Sequence, residues 1–147
     1  MQYKSITPKY HVSKPLIPEL IPRLVRDGFA KIICNLPDGE IPDAINSETV
    51  RDLAIQAGLE FEYIPITVTK ITPEIVLRHT NAVLQTDGAV FAYCATGRLC
   101  TMLWALEFCQ KKSHDDILAR TMSAGFDLTS MRNKLETFTP LPSKARP

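Results

Sequence analysis

The sequence predicts an α/β domain of three layers, with a largely parallel central sheet flanked by helices. Three observations carry that prediction. Short β-branched or apolar runs at 30–34, 61–66 and 89–93 alternate along the chain with stretches of helical periodicity. Turn formers stand at the junctions, including Pro37-Asp38-Gly39, Gly58 and Asp87-Gly88. The run at 89–93 is apolar throughout, as expected for a strand buried on both faces of a sheet.

In chain order, residues 10–12 suit a short first strand. A helix is predicted over 14–28, with Leu16, Leu20, Leu24 and Val25 along one side and Gly28 ending it. Pro15 and Pro18 fit its first turn, and Pro22 is expected to kink it. After the strand at 30–34 comes a loop rich in turn formers, and then a second helix opening at Ser47 as N-cap. Val50, Leu53, Ala54 and Ala57 repeat there at helical spacing, and Gly58 closes it.

A strand at 61–66 precedes Thr72-Pro73-Glu74, a helix start with Thr72 as cap and Pro73 in the first turn. Val76, Leu77, Thr80, Val83 and Leu84 make that helix's apolar face. The strand at 89–93 leads to a helix over 101–106, and two shorter helices follow Ser113 and Asp127 or Thr129. At 147 residues, 45% apolar and 22% charged, the chain has the size and composition of one globular domain. That domain is expected over 1–138, with a proline-rich tail at 139–147.

The net charge of +1 provides no long-range field, so neither nucleic acid nor a membrane is expected as a partner. An anionic ligand would have to be held by a local site. No apolar stretch approaches the roughly 20 residues that span a bilayer, and the first residues lack a signal peptide's apolar core. Four cysteines without paired spacing fit a reducing, cytoplasmic setting. Cys34 and Cys109 read as small core residues. His11, His79 and His114 are scattered and read as packing or surface residues, so no metal and no cofactor are expected.

In such sheets ligands bind beyond the carboxyl ends of the strands, which marks loops 35–45, 67–72 and 94–100. The third is the most informative. Cys94 ends the buried strand, and a helix is under way about six residues later. Ala95, Thr96 and Gly97 are small enough for backbone N–H groups to converge on one point, a nest for an anion. The same field favours a thiolate, so one loop combines a nucleophile with an anion cradle. A buried strand-end cysteine followed by a turn is the plainer alternative.

Residues 93–106, Tyr-Cys-Ala-Thr-Gly-Arg-Leu-Cys-Thr-Met-Leu-Trp-Ala-Leu, resemble the signature loop and helix of the phosphatase-like domain of beta-lactamase-hydrolase-like proteins. The likeness extends through Ile33-Cys34-Asn35-Leu36-Pro37-Asp38-Gly39-Glu40, Ala57-Gly58-Leu59, Tyr63-Ile64-Pro65-Ile66 and Ile71-Thr72. That family is similar in fold to dual-specificity tyrosine phosphatases, and its loop resembles that of rhodanese sulfurtransferases.

The resemblance implies a tyrosine-phosphatase-like fold with Cys94 as nucleophile and the loop from Ala95 through Thr96, Gly97, Arg98 and Leu99 as anion site. It also exposes departures. Tyrosine phosphatases carry an arginine six residues after the cysteine, where Cys100 stands here. Relatives in the family carry it at five, where Leu99 stands; Arg98 is one position earlier. Dual-specificity phosphatases have an aspartate just after the strand resembling residues 63–66, where this chain has Thr67. Asp38 could serve as general acid or could shape its turn. Cys100 could be a resolving thiol beside Cys94 or a packing residue.

Cysteine-dependent hydrolysis of phosphate esters is the leading expectation. Rhodanese-type sulfur transfer through a Cys94 persulfide, and phosphate or sulfate binding without turnover, are the alternatives. In each, the partner is a small anion: a phosphate ester or a sulfane-sulfur donor.

Overall fold

The strand Ala89–Tyr93 divides its side chains between two cores. Val90 and Ala92 join one buried cluster with Ile33, Leu103 and Leu106, while Phe91 and Tyr93 join another with Ile32, Leu24 and Val50. Period-two alternation thus sends successive residues of one apolar run to opposite faces of the sheet. A computed structural model of the chain describes residues 3–42 and 45–141.

Among these residues the strands are β1 (Lys4–Ser5), β2 (Tyr10–Ser13), β3 (Phe29–Cys34), β4 (Glu60–Tyr63) and β5 (Ala89–Tyr93). Their order in the sheet is β1-β2-β5-β3-β4, with β1 antiparallel to β2 and every other pairing parallel. Helices α1 (Ile21–Arg26) and α2 (Ser47–Gln56) bury Ile21, Leu24, Val50 and Ala54 in the cluster on one face. Helices α3 (Pro73–Leu84), α4 (Arg98–Phe108), α5 (His114–Ser123) and α6 (Arg132–Thr137) cover the other. This is the three-layer arrangement read from the sequence.

Four parallel strands end at one edge, at Ser13, Cys34, Tyr63 and Tyr93. The ladder continues briefly into the loops there: Ile64 N–H donates to Cys34 O at 2.9 Å and Ile66 N–H to Asn35 O at 3.0 Å. Pro65, with no N–H to give, sits between them and ends the regular strand short of residue 66.

Local chemistry accounts for the other differences from expectation. The helix predicted over 14–28 forms only as a 3-10 turn at Pro18–Leu20 followed by α1. Ile17 is extended, at φ −93° and ψ 139°, as a residue before proline prefers. Pro22 lies in the first turn of α1, where its missing N–H leaves no bond unmade, so it starts the helix and does not kink it. The cap of α2 is Asn46, whose side chain accepts from Thr49 N–H at 2.9 Å, and not Ser47. Thr72 caps α3 as predicted, and the helix expected after Ser113 forms as α5 with Ser113 as its cap.

Strand β1 was not foreseen, because two residues carry no periodicity. Helix α4 begins at Arg98, three residues earlier than expected. Residues 142–147 of the predicted tail, and 43–44 of the predicted 35–45 loop, lie outside the described residues. Among the described residues, no helix is long and apolar enough to cross a membrane.

Candidate active site

Cys94 leaves β5 directly into a tight turn whose geometry depends on Gly97. That residue has φ +87°, in the left-handed region that side chains disfavour, and it is the N-cap of α4. A Cβ built there would stand 3.1 Å from Phe126 Cζ as well. The turn is tied at both ends: Cys94 N–H donates to Ser13 O at 3.2 Å, and Thr101 Oγ1 donates to Gly97 O at 2.8 Å. Gly97→Ala therefore combines strain with a close contact. We expect it to lower stability by about 1–3 kcal/mol and to disorder the loop, checked by urea unfolding and by loss of Cys94 reactivity.

The turn brings Gly97 N–H to 3.1 Å from Cys94 Sγ. The Cys94 thiol is pulled down from the ordinary 9.0 to about 6. The largest cause is a hydrogen bond from the Cys100 thiol. The backbone N–H groups of Cys100, Thr96 and Gly97 add to it, and burial of the sulfur opposes it. Cys100 itself is fully buried and held well above the usual thiol range by desolvation and by Cys94, so it stays a proton donor. At neutral pH the loop therefore presents a thiolate surrounded by donors.

Cys94 lies at the floor of a cavity of about 410 Å³. Leu36, Pro37, Ile66, Val68, Leu99 and Met102 make most of its wall. Loops after β3, β4 and β5 all contribute, as expected at the carboxyl edge of a parallel sheet.

The model of the family described as beta-lactamase hydrolase-like protein, phosphatase-like domain, matches residues 2–111. The chain belongs to that phosphatase-like family. A beta-lactamase hydrolase-like protein of Xylella fastidiosa is 31% identical over 105 residues, covering 70% of this chain and 24% of that protein. The chain thus corresponds to about a quarter of the length of that relative. A candidate phosphatase from Neisseria meningitidis superposes with a TM-score of 0.81 at 27% identity, covering 92% of this chain and 97% of the other. PTPMT1 superposes with a TM-score of 0.70 at 15% identity, covering 93% of each. The fold of this phosphatase-like domain is tyrosine-phosphatase-like.

Within that fold the residues singled out from the sequence separate. Thr96, Gly97 and Cys100 direct N–H groups to Cys94, while Ala95 and Leu99 line the cavity. Arg98 also lines it, but its Nη1 donates to Asp127 O at 2.9 Å, which holds the guanidinium to the chain between α5 and α6. Leu99 adds apolar wall. Thr67 lines the cavity, with its hydroxyl 3.4 Å from that of Thr69.

Asp38 is engaged elsewhere. Its two carboxylate oxygens accept from Ser47 N–H and Ser47 Oγ, both at 2.7 Å, at the start of α2. The carboxylate that lines the cavity is Glu40, from the 3-10 turn Asp38–Glu40. Sequence reasoning passed over it, although the only signal available, a second acidic residue in the Pro-Asp-Gly-Glu loop, was present. Asn35 was also passed over. It is fully buried at the end of β3, and a polar residue closing a buried strand was the sign of it. Among the described residues no three His, Cys, Asp or Glu side chains gather as a metal site.

Proposed function

We propose that this domain hydrolyses phosphate monoesters with apolar alcohol or phenol leaving groups, using Cys94 as nucleophile. The observation that carries the reading is the Cys94 sulfur, ionised from about pH 6 by Cys100 and three loop N–H groups at the floor of an open cavity. In the first step the thiolate attacks phosphorus, an S–P bond forms and the P–O bond to the leaving group breaks. In the second, water attacks phosphorus and gives its proton to Glu40, the S–P bond breaks, and the thiolate is released with inorganic phosphate. The N–H groups of the loop and of the first turn of α4 are assigned to the equatorial oxygens, where charge is spread during transfer. Those of Thr96 and Gly97 are shared with the sulfur as its charge passes to phosphorus.

Proton transfer is assigned to Glu40. Support comes from its place in the cavity wall and from the engagement of both Asp38 oxygens with Ser47. Glu40→Gln should lower kcat for a poor leaving group such as an alkyl phosphate by about 10²-fold, and much less for p-nitrophenyl phosphate, whose leaving group needs little protonation. Asp38→Asn should leave both rates within about threefold while weakening the start of α2 by about 1 kcal/mol. Equal losses from the two substitutions would remove Glu40 from the mechanism.

The anion is assigned to backbone amides with little help from Arg98. The Arg98 side chain is bonded to Asp127 O, and a bidentate guanidinium contact demands a specific geometry. Arg98→Ala should therefore change kcat/KM for an aryl phosphate by less than about tenfold. A loss of about 10³-fold or more would mean that the guanidinium swings to the phosphate during turnover.

One observation favours a second reading. A cavity with apolar walls, a carboxylate and an arginine tied elsewhere suits a small persulfide on Cys94 better than a covalently held phosphoryl dianion. In such sulfur transfer the Cys94 thiolate attacks the outer sulfur of thiosulfate, the S–S bond of the donor breaks and sulfite leaves. Cyanide then takes the outer sulfur of the persulfide and frees the thiolate. Thiocyanate formed from thiosulfate and cyanide, in a Cys94-dependent way, would report it.

A further inference from the structure

Behind the Cys94 loop, side chains from four different elements join in a closed circuit of hydrogen bonds. Tyr10 comes from β2, Asn35 from the end of β3, His79 from α3 and Cys100 from α4; none is more than 3% exposed. Tyr10 Oη lies 2.7 Å from Cys100 O and 2.8 Å from His79 Nε2. Asn35 Nδ2 lies 3.3 Å from His79 Nδ1 and 2.9 Å from Ile64 O. Cys100 Sγ lies 3.1 Å from Asn35 Oδ1, which completes the loop.

One fixed point assigns every proton in it. A carbonyl only accepts, so Tyr10 gives its O–H to Cys100 O. The phenol oxygen is then an acceptor, and His79 must donate to it from Nε2. Burial, with the nearby Lys31 charge, holds the His79 pKa down to about 3, so the ring is neutral and its Nδ1 is bare. Asn35 therefore donates to Nδ1 with one N–H and to Ile64 O with the other. Its amide oxygen is left facing Cys100 Sγ, and the orientation of the amide follows from the chain of donors.

The Cys100 thiol has one proton and two acceptors, Asn35 Oδ1 and the Cys94 sulfur. A thiolate, being charged, is the stronger acceptor; a thiol or a covalently modified sulfur is the weaker. We propose that Asn35, His79 and Tyr10 are positioning residues that give the Cys100 thiol proton two seats: Cys94 Sγ while that sulfur is a thiolate, and Asn35 Oδ1 while it is protonated or carries a covalent group. No bond is broken in the exchange; the S–H turns about the Cβ–Sγ bond. In both states of the nucleophile the buried Cys100 S–H then has an acceptor, which a single-acceptor site could not provide.

The proposal rests on Cys94 being the thiolate of the proposed function, but its test requires no turnover, so failure of one is separable from failure of the other. The ¹⁵N-labelled chain is titrated from about pH 5 to about pH 8, following the His79 ring nitrogens and the Asn35 side-chain amide. The Cys94 midpoint is read in parallel from the pH dependence of iodoacetamide labelling. The expected result is a neutral His79 protonated at Nε2 throughout, with Asn35 amide signals that step at the Cys94 midpoint.

In Cys100→Ala only the through-space field of the thiolate remains, so the Asn35 step should fall below about a third of its wild-type size. Cys100→Ser, with an O–H in place of the S–H, should restore it. A His79 protonated at Nδ1 or at both nitrogens overturns the proposal, as does an Asn35 step of equal size in wild type and Cys100→Ala.

Discussion

Replacing Cys94 by serine is expected to lower kcat/KM for p-nitrophenyl phosphate by about 10³-fold or more while leaving the fold intact. The loop bonds do not depend on the sulfur being ionised: Thr101 still clamps Gly97 O and Cys94 N–H still reaches Ser13 O, because both use backbone groups at residues 94 and 97. A serine hydroxyl keeps the size and the hydrogen bonding. What it loses is the anion, since no set of three N–H groups brings an alcohol to ionisation near neutral pH. The measurement is a steady-state comparison of the two proteins with matched unfolding curves. Retention of more than a tenth of the activity would move the nucleophile away from Cys94.

The second large effect is expected at Cys100, which makes no assigned contact with substrate. Its thiol is the largest single cause of the low Cys94 value, ahead of the backbone N–H groups. Removing that donor in Cys100→Ala leaves burial less opposed, so the Cys94 midpoint rises from about 6 toward that of an ordinary thiol. The sign is fixed by which form reacts. The thiolate is the nucleophile, so activity falls as pH drops through the midpoint, and a raised midpoint moves that fall to higher pH.

Well below pH 6 the iodoacetamide rate of Cys100→Ala should be about tenfold below wild type for each unit by which the midpoint moves. Well above the ordinary thiol value the two rates should converge. Cys100→Ser keeps a donor and should follow the wild-type curve. A Cys100→Ala profile that overlays wild type would assign the low value to the loop amides alone.

The frame was legible in the sequence because its signals were local. The apolar runs at 89–93 and 30–34, the Thr72-Pro73 helix start and the glycine three residues after Cys94 each state their own geometry. The loop that carries Cys94 was legible for the same reason, being strand, turn and helix in one continuous segment. Asp38 and Arg98 were harder, since each lies in the right loop and only its partner decides what it does. For Asp38 the partner is Ser47, nine residues on; for Arg98 it is the carbonyl of Asp127, twenty-nine residues on. Neither partner is marked by spacing or composition.

His79 shows the limit most clearly. The sequence supports only a packing role for an isolated histidine on a helix, and the residue is indeed buried. Its hydrogen-bonding role exists only because β2, β3, α3 and α4 meet behind the loop, which is a property of the topology. Cys100 lies between these cases. Its distance from Cys94 in the sequence suggested a functional pair, but whether it serves as donor or as packing depends on the turn made by Gly97.

The most direct test is to identify the group carried by Cys94 during turnover. Wild-type protein mixed with p-nitrophenyl phosphate is quenched in acid within a turnover, digested, and the peptide containing Cys94 is analysed by mass spectrometry, with a parallel sample mixed with thiosulfate. A phosphoryl group is expected on Cys94 in the first sample, absent from Cys94→Ser, and an unmodified Cys94 in the second. A persulfide on Cys94 from thiosulfate, with no phosphoryl adduct from the ester, would contradict phosphoryl transfer and make sulfur the atom this loop transfers.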